Sequence, residues 1–323
     1  MNIVGKPIAI EAPTIKRLAP TFAAELAGFE ITEQSIKKRK RWIYELYLEH
    51  KVLVLHDQDL PARTFAAFGR IFGEPEQHHV IKLRHPEEPT LTYLSNQDEL
   101  GRNPVMKYSG DGWHSDYSYK LVPASATMLL GIDIPDEGGD TLFADAEAAF
   151  ADLPEQTKQH LRTLRVRHQY RWSPDKEDPW ARWKYIGQEE RDATPEITHP
   201  LVRRHPDTGR ETLFVQPRVI GSVIGIAEMD EADSNALVDE LIAHITSEKY
   251  VYRHRWRRHD VVVWDNRCLL HSGTTKTLPE EKVRRLLRLT TMGSAVTPSD
   301  PAVGMSRLAP VDENIFGDLR VGC

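Results

Sequence analysis

The chain has 323 residues, 40% hydrophobic and 28% charged, with a formal net charge of −6. This is an ordinary globular composition, and the length is sufficient to bury a core without disulfides or a structural metal. The acidic balance argues against a nucleic-acid or anionic-membrane partner, and two cysteines, Cys268 and Cys323, cannot build a disulfide framework or a Cys-rich zinc site.

In chain order, Ile36, Trp42, Ile43, Leu46 and Tyr47 recur near helical spacing and predict an amphipathic helix over 33–51. Residues 52–55 (Val-Leu-Val-Leu) follow as a short buried strand, and a second helix runs over 64–72, closed by Gly73. The apolar run 126–134 reads as a strand that turns at 136–139 (Asp-Glu-Gly-Gly) and returns through 141–143. Asp145 caps a short helix through Leu153, and Pro154 opens another to about Thr163. Residues 173–195 are polar and without a clear period, and read as a long insertion that could cover a site.

Strands follow near 196–202 and 211–215, joined by a turn at 207–210 (Asp-Thr-Gly-Arg). A helix spans 230–245, with acidic residues in its first turn. The last third is strand-rich: 250–256, 260–264 and 283–292. The basic run 253–258 (Arg-His-Arg-Trp-Arg-Arg) reads as the solvated face of a strand. The fold class is mainly β with helical cover. A single catalytic domain is expected over 1–323: N-terminal helical cover 1–90, a core at about 90–295 and a C-terminal tail 296–323. No charged-then-apolar leader opens the chain and no apolar run reaches 18 residues, so the expected location is cytoplasmic.

The chemistry concentrates in two places. Trp113-His114-Ser115-Asp116 reads His-x-Asp, and a strand places residues i and i+2 on one face. Trp264-Asp265-Asn266-Arg267-Cys268-Leu269-Leu270-His271 offers a second histidine at the end of an apolar strand. Two histidines and a carboxylate on one side of an ion make the facial triad of non-haem Fe(II) oxygenases. No Gly-x-Ser-x-Gly elbow, phosphate-binding Gly-Lys loop, Rossmann fingerprint or His-Glu-x-x-His is present.

With Gly138-Gly139-Asp140-Thr141 and Arg284-x-x-x-Arg288-x-Thr290, these motifs occur in the order of the taurine dioxygenase family, which residues 20–295 resemble. The resemblance implies a double-stranded β-helix (jelly roll, cupin-like) and an Fe(II)- and 2-oxoglutarate-dependent dioxygenase that consumes O2 and releases succinate and CO2. It implies His114, Asp116 and His271 as metal ligands. It implies Thr141 and Arg284 on the cosubstrate, with Arg288 near the metal, holding a cosubstrate carboxylate or a substrate anion. A planar guanidinium offers a carboxylate two parallel charge-assisted bonds. Arg285 falls on the opposite strand face and serves as a control. The interval from His271 to Arg284 is slightly longer than in the family and implies a turn insertion over 274–281.

His78, His79 and Lys82 stand where the family places substrate-anion contacts, so the expected substrate is a small organic anion. Ile81 and Gly110 stand where taurine binding implies a tyrosine and an asparagine, which disfavours taurine itself. Hydroxylation is the default outcome; desaturation or cyclisation, or a metal enzyme independent of 2-oxoglutarate, are the alternatives. By the same resemblance a homo-oligomer, dimer or tetramer, is expected.

Overall fold

The computed structural model describes residues 13–77, 84–96, 110–170, 194–218 and 222–300. Of the expectations above, His78, His79, Lys82, most of the insertion 173–195 and the tail beyond residue 300 lie outside them.

A seven-stranded sheet is the largest element. It forms from β1 (Thr14–Arg17), β2 (Ala24–Ala27), β3 (Val52–Leu55), β13 (Val261–Asp265), β5 (Ala124–Asp133), β15 (Arg285–Met292) and β4 (Leu91–Ser95), in that spatial order. All neighbours are antiparallel except β2 and β3. Period-two alternation sorts its side chains. Leu53, Met128, Val263 and Leu287 point to one face, where α1 (Glu33–His50) and α2 (Ala62–Gly69) cover them with Ile43, Tyr47 and Phe65. Val54, Leu129, Val262 and Leu286 point to the other, against Phe143 and Leu269.

Those last two residues belong to a second sheet, ordered β12 (Val251–His254), β6 (Thr141–Asp145) and β14 (Leu269–Gly273). The space between these sheets holds Thr141 and His271 from one side and Arg288 from the other. Behind β6 and β14, Ala144 and Leu270 pack on a third cluster. It is built by α3 (Ala146–Ala151), α4 (Glu155–Arg162), β7 (Arg165–His168), β11 (Val223–Ile226) and α5 (Glu231–Ile245). Strand β7 pairs with both β11 and β8 (Ile197–Pro200). A small sheet of β10 (Glu211–Leu213), β9 (Val202–Arg204) and β16 (Thr297–Pro298) completes the set.

The boundaries follow local chemistry. Thr32 and Ser35 form a reciprocal capping box at the start of α1, and Asp145 and Asp230 accept from backbone amides to cap α3 and α5. Helix α1 ends on Lys51 in the left-handed region, φ 63°. There the side chain turns inward to pair with Asp145 and Glu147, each at 2.8 Å.

Several expectations need correction. The strand expected at 52–55 forms as β3, and the region expected as helical cover also supplies β1 and β2, which join the large sheet through β3. Residues past 295 include β16, paired to β9. Basic run 253–258 is only partly a strand: β12 ends at His254, and His254 and Trp256 are buried while Arg253 and Arg255 are exposed. A second basic run, 37–41 on α1, is exposed along its whole length. Among the described residues no helix is long and apolar enough to cross a membrane.

Candidate metal and cosubstrate site

His114 and Asp116 do not sit on a regular strand. Residue 114 makes a single antiparallel bridge to His271, and the chain then turns at once through Tyr117, whose φ is 56°. His271 is likewise not on the Val261–Asp265 strand. The chain reverses at 266–268 and His271 lies in β14. This reversal and the turn after Asp116 bring the three groups together. The bridge is closed by reciprocal backbone bonds, His114 N to His271 O at 2.9 Å and His271 N to His114 O at 2.8 Å, and sets the ring centroids 4.1 Å apart.

His114 Nε2 lies 3.9 Å from Asp116 Oδ1, and His271 Nε2 lies 3.8 Å from Asp116 Oδ2. These separations are too long for hydrogen bonds. They match donors sharing one ion, since two ligand atoms each about 2.1 Å from a metal stand roughly 3–4 Å apart. Nδ1 of His114 is 2.7 Å from the Gly112 carbonyl. Donation there makes Nε2 the unprotonated nitrogen, the one that can ligate a metal. Burial holds the His271 pKa well below its ordinary value, so the ring is neutral. Burial alone would raise the Asp116 pKa, but the Arg288 guanidinium and the hydrogen bond from the Thr127 hydroxyl outweigh it and keep the carboxylate ionised. A neutral imidazole at His271 and an ionised carboxylate at Asp116 are protonation states that suit a divalent metal.

The ligand loop is held from behind. Thr127 Oγ1 donates to Asp116 Oδ2 at 2.5 Å, and Asn266 Nδ2 donates to Thr127 Oγ1 at 2.9 Å. Asn266 Oδ1 accepts from the Asp116 amide at 3.3 Å and from Trp264 Nε1 at 3.1 Å. Gln216 bridges the loop, accepting from Ser115 N at 2.8 Å and donating to Ser118 Oγ at 2.9 Å. Sequence reasoning did not single out Thr127, Asn266 or Gln216 for this role. Asn266 was visible within its motif, but nothing local marks the other two.

The arginines occupy the register expected of them. Leu286 faces the space between the sheets and Arg288 follows on the same side, its Nη2 2.7 Å from Asp116 Oδ1. Arg285 is on the other face, paired with Asp133. The longer interval before Arg284 contains a short 3-10 turn, Thr275–Thr277. Asp111 accepts from Thr275 N at 2.9 Å and Thr275 Oγ1 at 2.6 Å and pins that turn in place.

Arg284 is buried. Its Nε donates to the Gly139 carbonyl at 2.6 Å, and its Nη2 donates to Thr141 Oγ1 at 3.3 Å. Among the described residues no carboxylate forms an ion pair with it. Burial lowers its pKa to about 10, so it stays cationic at neutral pH. Arg288 is flanked by the Tyr117 ring, 5.9 Å from Cζ to centroid, and a chain of rings leads on to Tyr119 and Tyr170. Burial pushes the Tyr117 pKa up to about 12, keeping the phenol protonated.

A second His/Asp/Cys cluster, His205, Asp265 and Cys268, also converges, but its chemistry is wrong for a metal. His205 Nδ1 accepts from two backbone amides, so Nε2 carries the proton and donates it to Asp265 at 3.0 Å. Arg267 already neutralises that carboxylate, and burial pushes the Cys268 thiol pKa far up.

The profile of a family described as "Taurine catabolism dioxygenase TauD, TfdA family" matches residues 14–290. The chain is 33% identical over 307 residues to an α-ketoglutarate-dependent 2,4-dichlorophenoxyacetate dioxygenase of Cupriavidus pinatubonensis, covering 92% of this chain and 100% of that protein. It is 30% identical over 271 residues to pentalenolactone F synthase of Streptomyces arenae, covering 81% of this chain and 90% of that one. A solved taurine dioxygenase from Burkholderia xenovorans superposes with a TM-score of 0.74 at 26% identity, covering 91% of this chain and 93% of that one.

Proposed function

This chain belongs to the TauD, TfdA family and is an α-ketoglutarate-dependent dioxygenase; from that premise we propose that it hydroxylates an unactivated C–H bond of a small organic anion, releasing succinate and CO2. One observation carries the reading: beside a His/Asp/His triad lies a buried guanidinium, Arg284, that among the described residues has no carboxylate in ion-pair contact, Asp111 and Asp140 acting on it only from longer range. Such a cation is costly to bury unpaired, and a dicarboxylate cosubstrate supplies the missing anion.

In this reading His114, Asp116 and His271 hold Fe(II), and Thr141 and Arg284 hold the distal carboxylate of 2-oxoglutarate. Arg288 lies four residues beyond Arg284, within β15, beside Asp116. It orients either the proximal carboxylate or the substrate's anionic group. Bound Fe(II) supplies the activation of O2, which no side chain here can perform. The neutral His271 ring offers its lone pair to the ion, and Thr127 and Asn266 fix the Asp116 rotamer. The rings of Tyr117, Tyr119 and Tyr170 beside Arg288 favour an anion with a flat or apolar body. His78, His79 and Lys82 are further candidate contacts for that anion.

The reading includes a double-stranded β-helix made by the two facing sheets within one catalytic domain. It also includes a homo-oligomer, dimer or tetramer, and a cytoplasmic location. Light scattering of the purified protein tests the assembly.

The deciding experiment supplies Fe(II), 2-oxoglutarate and a panel of carboxylates, sulfonates and sulfate esters under air. Succinate release and product mass are measured. Substrate-dependent succinate with gain of one oxygen supports the reading; turnover without consumption of 2-oxoglutarate would place the chemistry elsewhere. Likeness to a synthase favours one second outcome, desaturation or ring closure. It would appear as loss of hydrogen with the same succinate yield.

A further inference from the structure

Thr141 has a hydroxyl with one proton and two lone pairs. In this structure the oxygen accepts twice: from Trp256 Nε1 at 2.9 Å and from Arg284 Nη2 at 3.3 Å. With both lone pairs engaged, the hydroxyl can act only as a donor, and among the described residues no acceptor takes its proton. Indole N–H is a donor and never an acceptor, so Trp256 enforces this polarity whatever the pH.

The same indole also reaches the arginine, its ring centroid 6.0 Å from Arg284 Cζ. Trp256 is buried and stands two residues beyond His254, which pairs in register with Thr141 across β12 and β6. It is braced edge-on by the His254 ring at 4.6 Å and 90°. His254 Nε2 is in turn 3.1 Å from Asp260 Oδ2, and Asp260 also takes His56 Nδ1 at 2.6 Å and the Arg257 amide at 2.9 Å.

We propose that Trp256 is a positioning residue for the cosubstrate: its N–H turns the Thr141 hydroxyl into an obligate donor, aimed with Arg284 at one carboxylate of 2-oxoglutarate. This rests on the assignment of Thr141 and Arg284 made above. A hydroxyl free to rotate can present a lone pair in place of its proton, which repels a carboxylate. A hydroxyl locked as a donor selects the anion.

Binding of 2-oxoglutarate to the full-length, Mn(II)-loaded protein, measured by calorimetry, tests the proposal without turnover. Trp256→Phe keeps a ring beside Arg284 and removes the N–H. Its dissociation constant should rise about tenfold, the effect of one lost charge-directed hydrogen bond, with the metal affinity and Tm near wild type. In a Thr141→Val background, where no hydroxyl remains to orient, Trp256→Phe should have no further effect. Trp256→His, which retains a ring N–H, should recover part of the loss.

Unchanged binding in Trp256→Phe, or an equal penalty with and without the Thr141 hydroxyl, would overturn the proposal. Should Trp256→Phe fail to fold, Trp256→Leu takes its place under the same comparison, and unchanged binding or an equal penalty with and without the Thr141 hydroxyl overturns the proposal. Arg284→Ala separates the two layers. If that variant binds 2-oxoglutarate normally, the cosubstrate assignment itself is wrong; if it binds poorly while Trp256→Phe binds normally, only the role of Trp256 falls.

Discussion

Arg284 and Arg285 are adjacent in sequence and opposite in environment. Arg284 surrenders its hydration for two neutral acceptors, the Gly139 carbonyl and the Thr141 hydroxyl, whereas Arg285 lies on the helix-covered side of the sheet against Asp133. Arg284→Lys should therefore raise the KM for 2-oxoglutarate by at least about tenfold, because an ammonium cannot make two parallel bonds to a carboxylate. Arg285→Lys should change it less than about twofold; equal effects would put the clamp elsewhere. Thr127 belongs to the same scale. Thr127→Val removes the 2.5 Å bond to Asp116 and should weaken metal affinity about 10–100-fold, as loss of ligand-supporting contacts typically does. The check is a metal-binding titration, and an unchanged constant would refute the supporting role. The motifs made the location legible: His114, Asp116, His271, Thr141, Arg284 and Arg288 lie around one space. Thr127 and Gln216 were not legible, because their partners lie 11 and 101 residues away and no local pattern marks the contact.

Elements place these side chains by register. In β15 the alternation of Arg288 and Thr290 with Leu287 and Leu289 sends the polar pair inward and the leucines under the helices. The turn before β6 has a stricter requirement. Gly138 and Gly139 have φ of 82° and 69°, and a Cβ on Gly139 would stand 2.7 Å from Arg284 Cδ. Gly139→Ala therefore combines a disfavoured backbone conformation with a collision against the arginine. It should raise the KM for 2-oxoglutarate several-fold while leaving far-ultraviolet circular dichroism unchanged; a normal KM would show that Arg284 tolerates displacement. Helices α1 and α5 were legible from period and caps. The strand reading of 113–116 and 264–271 was not, because alternation cannot reveal that the chain reverses between Trp264 and His271. The reversal depends on distant partners: Asn266 bonds the Ser125 carbonyl and Arg203 bonds the carbonyls of 266 and 267.

At the scale of the molecule, buried histidines outside the His114–Asp116–His271 cluster couple stability to pH. His168 and His199 flank Phe214, with centroids 5.3 Å from it, and both are fully buried. Burial draws the His199 pKa down to about 4, and that of His168 well below its ordinary value. Unfolded histidines take up protons below about pH 6.5, while folded His199 does not until about pH 4. In that window the unfolded chain binds more protons, so stability falls as pH falls. Denaturant midpoints should drop between pH 7 and pH 5, and His199→Leu should remove about 2 kcal/mol of the difference. A variant with the wild-type pH slope would refute the assignment.

The pairing of His114 with His271 has a further consequence. Their imidazoles project from one hydrogen-bonded backbone bridge, so the spacing of the two rings is a property of the polypeptide itself. A zinc finger loses its shape when stripped by a chelator. This scaffold should keep the protected amides of residues 114 and 271 in hydrogen exchange after treatment with EDTA, and recover full turnover when ferrous salt is restored, without any refolding step. Exposure of those two amides in the stripped protein would mean that the ion, rather than the chain, builds its own seat.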